Sequence, residues 1–191
     1  ILIVVVLLLL VGYSSIKGTY NTMVLRDEGI NTSWAQVENQ YQRRVDLIPN
    51  LVNTVKGYAN FEQETLTGVI EARSKATAVT IDPSNLSPEA IANFDQAQQG
   101  LSSALSRLLV TVERYPDLKA STQFQQLQVQ LEGTENRIAV ERRNFNQEVQ
   151  GYNTYIRSFP KNLYANLFGF DQKGYFQAIS GAETAPKVTF D

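Results

Sequence analysis

The chain begins with an unbroken aliphatic run, ILIVVVLLLLV over residues 1–11, followed by Gly12, Tyr13 and a polar stretch. No other part of the sequence looks like this. At about 1.5 Å per residue, a dozen residues cover roughly 18 Å, whereas a bilayer core of about 30 Å needs about 20 residues. Because the first residue is Ile and not Met, we expect residues 1–13 to be the end of a transmembrane anchor truncated at its N-terminus, with Tyr13 near the interface. The competing reading is the apolar region of a cleaved signal peptide. It lacks a small-x-small cleavage site after the run and a cysteine for lipid attachment. Lys17 and Arg26 are offset by Asp27 and Glu28, so flanking charge favours neither orientation. The abundance of Asn, Gln, Ser and Thr and the lack of thiols favour an extracytoplasmic domain behind a short inner N-terminus.

Behind the run, apolar residues recur at helical spacing. Val24, Ile30, Trp34, Val37, Tyr41, Val45 and Ile48 predict a first amphipathic helix. Pro49 predicts a kink after Ile48 or a restart, with Leu51, Val52 and Val55 continuing the stripe. Leu66, Val69, Ile70 and Ala76 predict a second helix or a bent continuation, and residues 80–87 a loop. Ser87-Pro88-Glu89 marks a helix start, with Ser at the N-cap, Pro at the first position and an acid at the positive end of the dipole. That helix carries Ile91, Phe94, Leu101, Leu105, Leu108 and Val112 and should end at Tyr115-Pro116. The longest segment, residues 121–158, carries Phe124, Leu127, Leu131, Ile138, Phe145, Val149, Tyr152 and Ile156. No stretch alternates with period two. The fold expected is all-α, an antiparallel helical bundle of long amphipathic helices with an N-terminal transmembrane helix. The bundle should cover residues 20–178, with an aromatic tail packing on it from about Leu163 and an irregular C-terminal tail over residues 179–191.

Chemistry is narrowed by what is missing. With no His and no Cys, thiol nucleophiles, imidazole bases, disulfides and Cys/His metal sites are excluded. Seventeen basic against nineteen acidic residues give no nucleic-acid footprint. Ser14 with Lys17 and Ser158 with Lys161 match a Ser-x-x-Lys pattern by spacing alone; one lies at the membrane edge and the other straddles Pro160. The carboxylate pairs Glu62 with Glu64 and Glu132 with Glu135 read as solvated helix faces, since bundle metal sites of this kind add a histidine. We therefore expect no catalytic, cofactor-binding or metal-binding residues, and no cofactor.

The charges that stand out lie on apolar helices. Arg43, Arg44 and Asp46 precede Leu47-Ile48-Pro49, and Glu135, Arg137, Glu141, Arg142 and Arg143 sit on the longest helix. Arg44 falls at the edge of its stripe, and Arg142 lies four after Ile138 and three before Phe145. An inward arginine requires a carboxylate, because an unpaired buried charge is very costly. The expectation is a structural ion-pair network of Arg43, Arg44, Asp46, Glu135 and Arg142, in which Arg44 or Arg142 reaches Glu38, Asp46, Glu135 or Glu141.

Several blocks resemble the LemA family: Tyr20-Asn21, QVENQYQRRVDLIPNLVNTVKGYA over residues 36–59, YPDLKA over residues 115–120, and GTENRIAVERRNFNQEVQGYN over residues 133–153. Ser158-Phe159-Pro160, Phe168-Gly169-Phe170 and Tyr175-Phe176 continue the likeness. It is loose over residues 77–103 and ends, on this reading, at Ala178. The resemblance implies a membrane-anchored helical bundle of the bacterial envelope, and members that tend to occur alongside membrane metalloproteases; it implies no biochemical activity. The function expected is a non-enzymatic, single-pass scaffold or interaction module in the bacterial inner or plasma membrane. Its partners would be the lipid bilayer through residues 1–13, and other proteins or copies of itself through amide-rich helix faces. An adaptor or regulator of a membrane metalloprotease and a carboxylate-based hydrolase are the rival expectations.

Overall fold

A computed structural model describes residues 1–58 and 61–177, and among these there is no β-strand. Helix α1 runs from Leu2 to Lys56 without a break, so the aliphatic run and the first bundle helix form one rod of about 82 Å. Near its N-terminus α1 is apolar enough to cross a membrane, with a mean hydropathy of 2.0 over an 18-residue window. Helix α2 (Gln63–Ala78) follows, then a 3-10 turn (Pro83–Asn85), α3 (Pro88–Val112), the single-turn α4 (Pro116–Lys119), α5 (Thr122–Arg157) and α6 (Lys161–Phe168).

Pro49 does not restart the helix, which runs on through it to Lys56. Proline has no N–H for the carbonyl four residues back, which leaves the Val45 oxygen without its usual donor. Arg73 of α2 supplies one, its Nε donating to that oxygen at 3.2 Å. The repair is tertiary, so helical spacing could not announce it.

Local rules account for the other boundaries. Ser87 Oγ accepts from the Ala90 N–H at 3.2 Å, and Pro88 occupies the first helical position. Ser121 Oγ caps α5 through the Phe124 N–H at 3.4 Å. Helix α3 stops at Val112, three residues before the point that Tyr115-Pro116 predicts. The Arg114 and Tyr115 N–H groups turn back to the Thr111 and Val112 carbonyls at 3.1 and 2.9 Å, which satisfies the end of the helix in a tighter turn.

Helix α1 packs along α5 and α2 along α3. Arg44 meets Glu135 and Trp34 meets Phe145, so numbers fall on α5 as they rise on α1 and the pair is antiparallel. Trp34 and Arg44 meet Phe94 and Ser102 in rising order, so α3 runs parallel to α1. The result is an up-down-up-down bundle. Its core falls into two clusters. Toward the C-terminal end of α1 the filling is mostly aliphatic, with Leu51, Val55, Leu66, Val69, Leu105 and Leu108 among it and Phe124 as its buried ring. Nearer the aliphatic run it is ring-rich, with Trp34, Tyr41, Phe94, Phe145, Tyr152 and Phe176.

The 16-residue α2 is too short to line both halves. Below it the fourth lane is filled by residues 79–87, which bury Ile81 and Leu86, and by a strap over residues 170–177. The strap starts where Gly169 takes a left-handed φ of 74° to end α6, a conformation glycine adopts without strain. It then passes so close to the start of α3 that a Cβ on Gly174 would lie 2.7 Å from the Pro88 Cα. Where the sequence predicts an aromatic tail packing on the bundle from Leu163, the structure has α6 followed by this strap. The irregular tail expected over residues 179–191 lies outside the described residues.

Candidate functional site, a cleft between α3 and α5

Because the tight helix contacts are within the α1–α5 and α2–α3 pairs, α3 and α5 leave a cleft of about 870 Å³ between them. Tyr41 and Arg44 of α1 form its floor, Asp95, Gln98, Gln99 and Ser102 one wall, and Glu135, Arg142, Asn146 and Gln150 the other. Tyr175, Phe176 and Gln177 of the strap line it as well.

Arg44 is 1% exposed and lies at the boundary between the aliphatic and aromatic clusters. Its Nη1 donates to Ser102 Oγ and to Glu135 Oε1, each at 2.8 Å, and its Nη2 donates to the side-chain and backbone oxygens of Gln98. Its guanidinium also stands over the Tyr41 ring, 5.0 Å from the centroid. Gln98 passes the network on, donating from Nε2 to the Ala76 carbonyl at 3.3 Å. That carbonyl lies in the last turn of α2 and has no partner within the helix. One buried arginine thus ties α1, α3 and α5 together, and α2 through Gln98.

Arg142 forms the second node. Its Nη1 lies 2.9 Å from Asp95 Oδ1 and its Nη2 3.3 Å from Oδ2, a two-pronged pair. Nη2 also donates to the Gln177 carbonyl at 3.0 Å, and the guanidinium covers the Phe176 ring at 4.6 Å. Burial pushes the Tyr41 phenol above its ordinary value, against the opposing pull of Arg142 and Arg44, so it stays protonated at neutral pH.

Of the five residues expected in one network, the structure brings Arg44 and Glu135 together. It places Arg142 on Asp95, a carboxylate outside the expected set of partners. Arg43 and Asp46 stand apart: both are exposed, and among the described residues neither joins an ion pair, Asp46 accepting instead from Gln42 at 2.8 Å. The reason is angular, since neighbours on a helix are about 100° apart and only Arg44 faces inward. The other marked pairs also meet different partners. Ser158 Oγ donates to the Thr154 carbonyl at 2.7 Å while the Lys161 ammonium sits 4.2 Å from the Tyr155 ring centroid, so serine and lysine do not face one another. Glu62 pairs with Arg114 at 2.6 Å.

The strap shows how the α5 wall handles an extended chain. Asn146 donates to the Phe176 carbonyl at 2.8 Å and accepts the Phe176 N–H at 2.9 Å. Two turns along, Asn153 does the same for Lys173, at 2.9 and 3.0 Å. Each amide reads both backbone groups of one residue, as a neighbouring strand would. Asn153 had a readable signal, lying four after Val149 and three before Ile156 on the buried stripe. Asn146 and Asp95 had none.

A model of the LemA family matches residues 33–190. It extends past Ala178, where the resemblance read from the sequence ended, and begins inside α1. Magnetosome protein MamQ 2 of Paramagnetospirillum magneticum is 27% identical over 187 residues, covering 89% of this chain and 68% of that protein. Protein LemA of Metamycoplasma hominis is 27% identical over 161 residues, with 84% and 70% covered. Magnetosome protein MamQ of Magnetospirillum gryphiswaldense is 26% identical over 187 residues, with 89% and 68% covered.

Proposed function

Starting from a chain that belongs to the LemA family, we propose that it is a single-pass scaffold of the bacterial envelope whose α3–α5 cleft holds an extended polypeptide segment. The observation that carries this is the pair of asparagines, Asn146 and Asn153, already holding an extended stretch of the same chain by its backbone. The cleft continues that surface with further amides, Gln99, Gln147 and Gln150. Amides that donate and accept suit a peptide backbone of any sequence, while Arg143 on the rim favours an acidic neighbour.

The role is binding without bond-making. Both acids lining the cleft, Asp95 and Glu135, are engaged by an arginine, so neither is poised as a free base beside a nucleophile. The bundle stands on the extracytoplasmic side, in keeping with a chain rich in amides and hydroxyls and without thiols.

A photo-crosslinking residue at Gln147, compared with one at Glu71 on α2, tests the cleft in native membranes. A defined adduct at Gln147 alone supports it, and its mass separates the possible occupants: another protein such as a membrane protease, or a second copy of this chain. Equal labelling at both positions overturns it.

A further inference from the structure

At the end of the bundle nearest the aliphatic run of α1, a second set of apolar side chains lies open. Phe159, Leu163 and Leu167 are 81%, 58% and 74% exposed. Leu163 and Leu167 are four apart and share one side of α6, and Phe159 precedes them by the same interval at the turn into the helix. The other side of α6 is spent on the bundle: Ala165 is buried, and the Phe168 ring meets Tyr20 of α1 edge-on at 5.1 Å. Phe170, one residue past the cap of α6, adds a second edge contact to Tyr20 at 5.7 Å.

Tyr20 fixes the height of this surface. It lies seven residues beyond Tyr13, or about 10 Å along the helix axis. The polar layer on each side of a bilayer core is roughly 5–8 Å thick. Tyr20 thus stands a few ångströms above that layer, a gap about one side chain long, which apolar side chains on the helix packed against it can bridge. The charges agree. Residues 154–168 contain Arg157 and Lys161 and no acid, and Arg26 and Lys161 both lie against the Tyr155 ring, 4.9 and 4.2 Å from its centroid. A leucine surface framed by cations suits an interface with anionic headgroups.

We infer that α6 with Phe159 is a second lipid contact, an interfacial helix lying in the leaflet from which α1 emerges, an inference that rests on α1 crossing the bilayer. Phe159, Leu163 and Leu167 face the acyl boundary, and Arg157 and Lys161 meet lipid phosphates. Two contacts set apart on the bundle's end hold its long axis at a defined angle to the membrane.

The chain has no cysteine, so single labelling sites are clean. The full chain carrying Leu167→Cys, Leu7→Cys or Gln123→Cys, each labelled with an environment-sensitive fluorophore, is reconstituted into vesicles of phosphatidylcholine and phosphatidylglycerol containing a doxyl-lipid quencher. Gln123 is exposed at the opposite end of α5. The expected result is several-fold stronger quenching at 167 than at 123, falling when the anionic lipid is omitted. Quenching at 7 with none at 167 overturns the α6 contact and leaves the anchor standing. No quenching at 7 overturns both. Leu167 is exposed, so its replacement leaves the core unchanged, and far-UV circular dichroism checks this.

Discussion

The two halves of the bundle bury comparable stretches of α1 and α5 with different material. The half around Leu51, Leu66 and Leu108 is enclosed by four regular helices, whose backbone hydrogen bonds are mostly satisfied within each helix, the Val45 and Ala76 carbonyls being served by Arg73 and Gln98, and its filling is mostly aliphatic. The half around Trp34 has three helices and an irregular fourth lane. There the strap's backbone must find partners elsewhere, and Asn146, Asn153 and Tyr152 provide them. Large rings occupy the less regular space: Trp34 meets Phe94 and Phe145 edge-on at 5.2 and 5.7 Å and stacks on Phe176 at 6.1 Å. Among the described residues, the regular half is grooved on its α2–α3 face, where Gly68, Ala72, Ala97 and Gly100 line a cavity of about 1320 Å³. The irregular half carries the cleft, because its side-chain-to-backbone bonds can hold one extended segment and leave room beside it.

If that contrast is right, it should break in a definite order. Trp34→Ala removes the ring shared by α3, α5 and the strap and should cost about 3–5 kcal/mol in urea unfolding, the range for large aromatic truncations. Leu51→Ala should cost about 2–4 kcal/mol by the same rule but leave the strap protected in hydrogen exchange, whereas Trp34→Ala should expose it. Loss of strap protection in both variants would mean that the halves are one unit. Arg44→Ala, at the boundary, should cost about 3 kcal/mol. Its partner Glu135 is 43% exposed and can recover water, which places the effect at the low end for a broken buried pair. Asn146→Ala should cost about 1–2 kcal/mol and raise exchange at the Phe176 amide, with little change among amides of the aliphatic half.

Smaller still is the effect of Arg73→Ala, about 1 kcal/mol in the native chain. It should shrink in a Pro49→Ala background, where residue 49 regains an N–H for the Val45 carbonyl. An undiminished cost would show that Arg73 acts by packing. Alkali gives the gentlest probe. Burial raises the Tyr152 phenol well above its ordinary value, and Tyr41 shifts the same way. The unfolded chain therefore loses these protons first. Stability from the two protonated phenols is complete below about pH 10 and declines as pH climbs toward the folded-state values. Tyr152→Phe should flatten that decline, measured as the urea midpoint against pH.

Much of the regular half was legible, and the layer dividing the halves was legible only in its charged members, Arg44 and Glu135. On α1 the step after Tyr41 is Arg44; on α3 the step between Phe94 and Leu101 is Gln98; on α5 the gap between Leu131 and Ile138 holds Thr134 and Glu135. A polar residue standing where an apolar stripe skips a turn is a readable mark: Arg44 shows at the edge of its stripe, with Glu135 as one of four candidate carboxylates. Asp95 was not legible, because choosing the partner of Arg142 requires the rotation of α3 against α5, which long-range packing decides. The strap has no period to detect, and its partners, Asn146 and Asn153 with Tyr152, Arg142 and the Leu86 carbonyl, are single groups far from it in sequence. Pro49 suggests a restart for the same reason, since the group that serves the Val45 carbonyl belongs to α2.

The unbroken α1 has a mechanical consequence. A rod of about 82 Å with its foot in lipid works as a mast, and a lean of about 10° at the foot would sweep its top sideways by roughly 14 Å. Local thinning or curvature of the bilayer would thus be magnified into a displacement, at the far end of the bundle, comparable to the width of a helix.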